Sequence, residues 1–206
     1  LERLSNPQIV PAYIPYPTNN APLADDIEEI NKSEDINEEH ANETKSRPRI
    51  SILEEKSLSF RMGQTGVSYE KLFAPYLEKA GEITIEDPYI RTSWQIKNFM
   101  EFVTMLIDTR PVDDLKLKLI TKEEDEKIPD LIDHFDDIKD DLAGYGIDFE
   151  YEFTDFHDRC IKTDTGWTIA MGRGLDIFEK YNPYSVAMSR QDKRKCKDFM
   201  VTYIKG

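Results

Sequence analysis

The sequence predicts one α/β domain, with a mostly parallel central sheet flanked by helices, behind a disordered acidic linker. Three observations carry that reading. From about residue 50 onward, stretches that alternate apolar and polar residues take turns with stretches whose apolar residues recur every three to four positions. That is the pattern of strand–helix–strand units. Near the end, two short strand-like stretches flank an Asp-Thr-Gly turn, which adds a hairpin. Ahead of residue 50 neither period is present, and prolines and acids dominate.

In chain order, residues 1–48 are expected to form the linker. Pro7, Pro11, Pro15 and Pro17 alternate with Tyr13 and Tyr16, and acid gathers between Asp25 and Glu39. Such a stretch buries too little apolar surface to offset its ordering entropy. A docking segment is the second reading, with Ile9, Val10, Tyr13, Ile14 and Tyr16 lying along a partner's groove or sheet. The domain proper is expected over residues 50–206. Its first strand falls within 50–60, and Gly63–Gly66 is a loop that lacks the Gly-Lys-Ser/Thr ending of a nucleotide phosphate loop. Ser68 is an N-cap for a helix with Tyr69, Leu72, Phe73, Tyr76, Leu77 and Ala80 on one face. Gly81 closes it, and Pro75 predicts a kink or a late start. The stretch 82–86 is a strand with Ile83 and Ile85 inward, followed by the polar loop Asp87–Arg91. Trp94, Ile96, Phe99, Met100, Val103, Leu106 and Ile107 give the next helix a broad apolar face, and Leu115, Leu117 and Leu119 mark a half-exposed strand. Within 122–144 a helix turns Leu131, Ile132, Phe135, Ile138 and Leu142 inward and most of its aspartates outward. Residues 147–153 form the clearest strand. Leu175–Lys180 reads as a short helical turn, and 192–205 as a terminal helix rich in Lys and Arg.

Charge and composition narrow the function. The 206 residues carry a net charge of −14, with 33% charged and 39% apolar residues, so part of the chain is expected to remain unpacked. That charge argues against a broad duplex-DNA surface, which needs many cationic contacts. It is uneven, however: from Ile161 onward nine Lys and Arg face five Asp and Glu, a local +4. No apolar run is long enough to span a membrane, and the start, Leu1-Glu2-Arg3-Leu4, has no apolar signal region. A cytoplasmic location is therefore expected, with Cys160 and Cys196 as free thiols. The absence of an initial Met reads as a fragment or a processed chain. No Cys/His ligand cluster is present, so neither metal nor other cofactor is expected.

The chemistry concentrates in 157–176. His157 and Arg159, two apart, would share a face on a strand. Gly172-Arg173-Gly174 offers backbone N–H groups beside a guanidinium. Arg91 lies in a loop after a strand's C-terminal end, the edge where ligands of α/β sheets bind. Each residue also has a plainer reading. His157 can end a strand with its ring on a carboxylate, and Arg173 can pair with Asp176 or Asp158. Asp164 can serve only its turn, and Glu86, Asp87 and Arg91 can simply order their loop.

The spacing His157-x-Arg159-x4-Asp164 resembles the His-x-Lys-x4-Asp motif of the phospholipase D superfamily, with Arg in the Lys position. With residues 86–91 (EDPYIR), the HDR triplet at 157–159, Gly166-Trp167 and residues 172–178 (GRGLDIF), the chain is similar to the phospholipase D-like domain at the C-terminus of MIT proteins. The same module is associated in bacteria with Lon-like ATPases, some in phage-defence loci. The resemblance implies a nucleophilic His157, a phosphate-holding Arg159 and an Asp164 that orients a histidine. One such motif per chain would require a homodimer for turnover. The family's Gly-Ser-x-Asn element is replaced by Gly172-Arg173-Gly174-Leu175, which favours binding over turnover. The expected function is a phosphate-binding module for a lipid headgroup or nucleic-acid backbone, forming the C-terminal part of a larger protein with an upstream ATPase or MIT-type domain. Its phosphate set is His157, Arg159, Arg173, Gly172, Gly174 and Arg91. The alternatives are a homodimeric phosphodiesterase or nuclease using His157, and a structural adaptor working through its N-terminal segment.

Overall fold

A computed structural model describes residues 53–109, 114–122 and 128–206. The linker expected over 1–48 lies outside the described residues. Seven strands form one sheet: β1 (Lys56–Phe60), β2 (Glu82–Glu86), β3 (Leu115–Thr121), β4 (Ile147–Phe153), β5 (Cys160–Thr163), β6 (Trp167–Met171) and β7 (Phe199–Lys205), in the order β1-β7-β6-β5-β2-β3-β4. Only the neighbours β2–β3 and β3–β4 run parallel; the pairs β2–β5, β5–β6, β6–β7 and β1–β7 are antiparallel. The expectation of a mostly parallel sheet is therefore corrected to a mixed, mostly antiparallel one. The reason is where the strand–helix alternation stops. It carries β2, β3 and β4 through two helical crossovers, and beyond β4 the hairpin β5–β6 and the returning β7 pair antiparallel.

Three helices cover one face of this sheet: α1 (Tyr69–Leu77), α2 (Ser93–Thr109) and α3 (Ile128–Ala143). In α1, Ser68 accepts the Lys71 N–H at 3.2 Å, satisfying one of the first-turn donors. Tyr69, Leu72, Phe73, Tyr76 and Leu77 are buried, while Pro75 stands inside the helix on its exposed side. The Tyr76 ring meets Trp167 and stacks on Tyr203, the Phe99 ring of α2 meets Phe149, and Phe135 of α3 packs against Phe149, Tyr151 and Phe153. The strand residues in these contacts belong to a single face by register, with Ile169 opposite Tyr203 and Leu119 opposite Tyr151. The other face carries Glu86, Thr84, Lys118, Lys162, Thr168 and Thr202 and meets no described helix.

Two expected elements change, and one residue's burial. Residues 199–205 are the strand β7, not the end of a helix: Phe199, Val201 and Tyr203 alternate inward, the period of a strand. Leu175–Lys180 forms no helical turn. Leu175, Ile177 and Phe178 are buried as an irregular segment, pinned by a bridge between Phe178 and Cys196. Ile132 is exposed, because α3 packs through Leu131, Phe135, Ile138 and Leu142 alone.

Between β6 and β7 the chain makes a short helix α4 (Val186–Ser189) and a 3-10 turn (Gln191–Lys193), held by one buried cation. Arg194, its side chain 4% exposed, ion-pairs with Glu101 of α2 at 2.5 Å and donates to the carbonyls of Met188 and Ser189. Its guanidinium lies 4.2 Å from the centre of the Tyr181 ring.

Candidate phosphate-binding edge

The register places four loops at one edge of the sheet. β2 ends at Glu86 opposite Cys160, where β5 begins. β6 ends at Met171, whose N–H donates to Arg159 at 2.8 Å, and Gly172 donates to Met200 near the start of β7. Loop 87–91, residues 157–159, residues 172–175 and Asp198 thus converge.

Asp87 joins two of these loops. It is only 3% exposed, and its carboxylate accepts N–H bonds from Tyr89 at 3.0 Å and Leu175 at 3.3 Å. Burial raises its pKa, against the pull of those two N–H groups and the Arg159 charge. Gly174 makes the approach possible. Its φ is +59°, and a Cβ built there would stand 1.8 Å from Asp87 Oδ2. Gly172 and Gly174 were expected to offer N–H groups to phosphate. The Gly172 N–H instead bonds Met200, and Gly174 serves close packing.

Arg159 lies at the centre of the edge. Its guanidinium carbon is 4.0 Å from the centre of the Tyr89 ring, and its Nη1 donates to the Gly172 carbonyl at 3.0 Å. Its other N–H donors meet no acceptor among the described residues. The Arg91 guanidinium approaches the same ring at 5.7 Å. Arg173 is exposed, and its Nε donates to the Asp198 carbonyl at 2.7 Å. Neither carboxylate expected for Arg173 is its partner: Asp176 accepts the Trp94 indole N–H and pairs with Lys197 at 2.6 Å. His157 is exposed, and no hydrogen bond ties its ring among the described residues. Both His157 and Arg159 sit in the loop before β5 rather than on a strand.

Asp164 is not at this edge. It follows the last residue of β5, at that strand's opposite end, and its two oxygens accept the Gly81 N–H at 3.1 Å each. At about 3.3 Å per strand residue, the length of β5 separates it from His157. It fastens the β5–β6 turn to the end of the α1 loop, so the orienting role expected for it is not available within this chain.

An open cleft of about 590 Å³ runs from this edge onto the bare sheet face, lined among others by Glu86, His157, Asp158, Arg159, Cys160 and Lys162. Glu86 forms an ion pair with Lys162 at 2.6 Å and accepts the Cys160 thiol at 3.2 Å. Burial, then the Glu86 carboxylate, pushes the Cys160 thiol up to about 12, which disfavours its thiolate. The hydrogen bond that Lys162 donates to Glu86 raises the Lys162 pKa and keeps that ammonium charged. Tyr89, Lys162 and Asp198 are the site residues that sequence reasoning missed as contributors. Tyr89 was legible in kind, as an aromatic between Asp87 and Arg91; the partnership of Lys162 with Glu86 depends on pairing two strands far apart in sequence.

The family model of the phospholipase D-like domain at the C-terminus of MIT matches residues 66–205. The chain belongs to this family. This phospholipase D-like domain is 36% identical over 150 residues to MIT domain-containing protein 1 of Mus musculus, covering 71% of this chain and 60% of that protein. The chain thus spans less than two thirds of that relative's length. A solved structure of phosphatidylserine synthase from Haemophilus influenzae Rd KW20 matches with a TM-score of 0.39 and 10% identity, over 73% of this chain and 34% of that one. At that score the likeness has no weight for fold or function. Among the described residues of the domain no helix is long and apolar enough to cross a membrane, and no group of acidic, His or Cys side chains could hold a metal.

Proposed function

We propose that this phospholipase D-like domain binds a phosphate-bearing ligand at the loop edge, as the C-terminal part of a larger protein. The observation that carries the reading is the Arg159 guanidinium. It is pre-oriented by Tyr89 and the Gly172 carbonyl, with the rest of its N–H fork free for two oxygens of one phosphate. Arg91 and Arg173 add charge from neighbouring loops, and His157 adds a donor from the same one. Glu86 and Asp158 offset Lys162 and Arg159 within the cleft, which favours a compact anion over a long polyanion. A lone His157 favours binding over turnover, since the superfamily's chemistry uses two histidines.

The test is titration of the full chain with a soluble inositol phosphate headgroup and, separately, with a short single-stranded oligonucleotide. Arg159→Ala should weaken binding of the true ligand tenfold or more, and Arg159→Lys by less, because a lysine keeps the charge and loses the fork. Preference between the two probes identifies the source of the phosphate. Equal binding by wild type and Arg159→Ala would reject the site. Turnover of bis-p-nitrophenyl phosphate that disappears in His157→Ala would instead establish a phosphodiesterase.

A further inference from the structure

The far side of the sheet has an unused edge. β4 is the last strand in the order and pairs with β3 alone. The Gly146 carbonyl accepts the Leu115 N–H, and Thr154 donates to Thr121, so the even-numbered residues of β4 turn their backbone groups toward β3. Those of Ile147, Phe149, Tyr151 and Phe153 point the other way. Among the described residues no strand pairs with them. Such a row is a template for one more strand.

Both walls of this edge are acidic. On the bare sheet face stand Asp148, Glu150 and Glu152, all exposed. On the helix side Asp136 of α3 accepts the Tyr151 hydroxyl at 2.8 Å, and Asp133 lies close enough to help raise the Tyr151 pKa. Together α3 and β4 hold nine Asp and Glu against one lysine, Lys139. Folding does not ask for this. Asp140 and Asp141 occupy the last turn of α3, where the helix dipole favours cations, and the turn holds no basic residue. Asp133, Asp136, Asp137, Asp140 and Asp141 also repel one another at three- and four-residue spacing. Guarding an edge against aggregation takes only a few charges. The charge also selects the occupant. A second copy of this edge would set acid against acid, and nucleic acid has the same sign.

We infer that the outer edge of β4 takes up an extended segment of a partner protein, with Lys or Arg at alternate positions, as an eighth strand. The four outward residues supply the backbone bonds, and the acids of the bare face, Asp148, Glu150 and Glu152, select the cationic side chains, which alternate positions turn to one face. This reading is independent of the phosphate site at the loop edge.

The probe is a capped nine-residue peptide of alternating Lys and Val, titrated into the full chain by calorimetry, with amide shifts followed by NMR. Binding should move the Phe149 and Tyr151 amides. It should fall at least tenfold in Glu150→Lys, an exposed substitution that leaves the core alone. It should also fall at least tenfold when alternate peptide amides are N-methylated, which removes the strand bonds and keeps the charge. Full retention by the methylated peptide would mean charge attraction alone and would overturn the proposal. So would no binding, indifference to Glu150→Lys, or shifts at Phe149 and Tyr151 that grow with protein concentration alone, which would assign the edge to a second copy.

Discussion

The loop edge gathers cations among matching acids, the β4 edge gathers acid almost alone, and the two hold their charges in different ways. At the loop edge nearly every cation is tied to an internal acceptor: Arg159 to the Gly172 carbonyl, Arg173 to the Asp198 carbonyl, Lys162 to Glu86 and Lys197 to Asp176. Along α3 and β4, among the described residues, only Glu152 is in an ion pair, with Lys118 at 2.7 Å. Tied charges have fixed positions and can recognise geometry, as a bidentate phosphate contact requires. Untied charges supply a field, and a field recognises sign and spacing. On the two proposals above, the domain separates a region suited to reading shape from one suited to reading charge.

That contrast between tied and untied charge predicts what substitution does across the domain. The largest effect belongs to the most deeply tied cation. Arg194→Met should lower unfolding free energy by about 3 kcal/mol, because Glu101 loses its cationic partner and the carbonyls of Met188 and Ser189 lose their donor. A urea melt measures it, and a loss below ~1 kcal/mol would show that the pair is dispensable. Next comes Gly174→Ala, expected to cost about 2 kcal/mol, since it places a Cβ against Asp87 at a left-handed φ. Phosphate affinity should fall with it, as Asp87 can no longer hold the two loops together. The smallest effect has the opposite sign. Asp140→Lys combined with Asp141→Lys should raise stability by roughly 0.5–1 kcal/mol, because untied acid in the last turn works against the helix. Phosphate affinity at the loop edge should not change.

Much of the domain was legible wherever one period ran without interruption. Ile83 and Ile85, Leu115 to Leu119, and Ile147 to Phe153 identified β2, β3 and β4, and Ser68 gave the start of α1. The hairpin around Asp164-Thr165-Gly166 was legible too. The C-terminal strand was not, for a physical reason. Its bare face carries Met200 and Ile204 beside Thr202, so the alternation of Phe199, Val201 and Tyr203 is hidden in a run of similar residues, next to a Lys-rich stretch that favours helix. Strand direction was also out of reach, because it depends on pairings such as Glu86 with Cys160 that no local pattern encodes. At the candidate site the sequence named Arg159, Arg173 and Arg91, and the edge brings them together. It misplaced Asp164, because a strand's length in between is invisible to a spacing motif. It read Asp87 as loop-ordering, which is what its bonds to Tyr89 and Leu175 do.

The pairing of β1 with β7 has a consequence for how this domain comes into being. Ser57 meets Thr202 across 145 positions of sequence, whereas β2, β3 and β4 join through crossovers between successive strands. During synthesis the parallel trio can assemble while the chain is still growing. β1, which emerges before the other described strands, must wait without its neighbour until β7 has left the ribosome. The earliest of the described strands is thus among the last to be incorporated, and through that interval its backbone is open to chaperones and to strand-pairing errors.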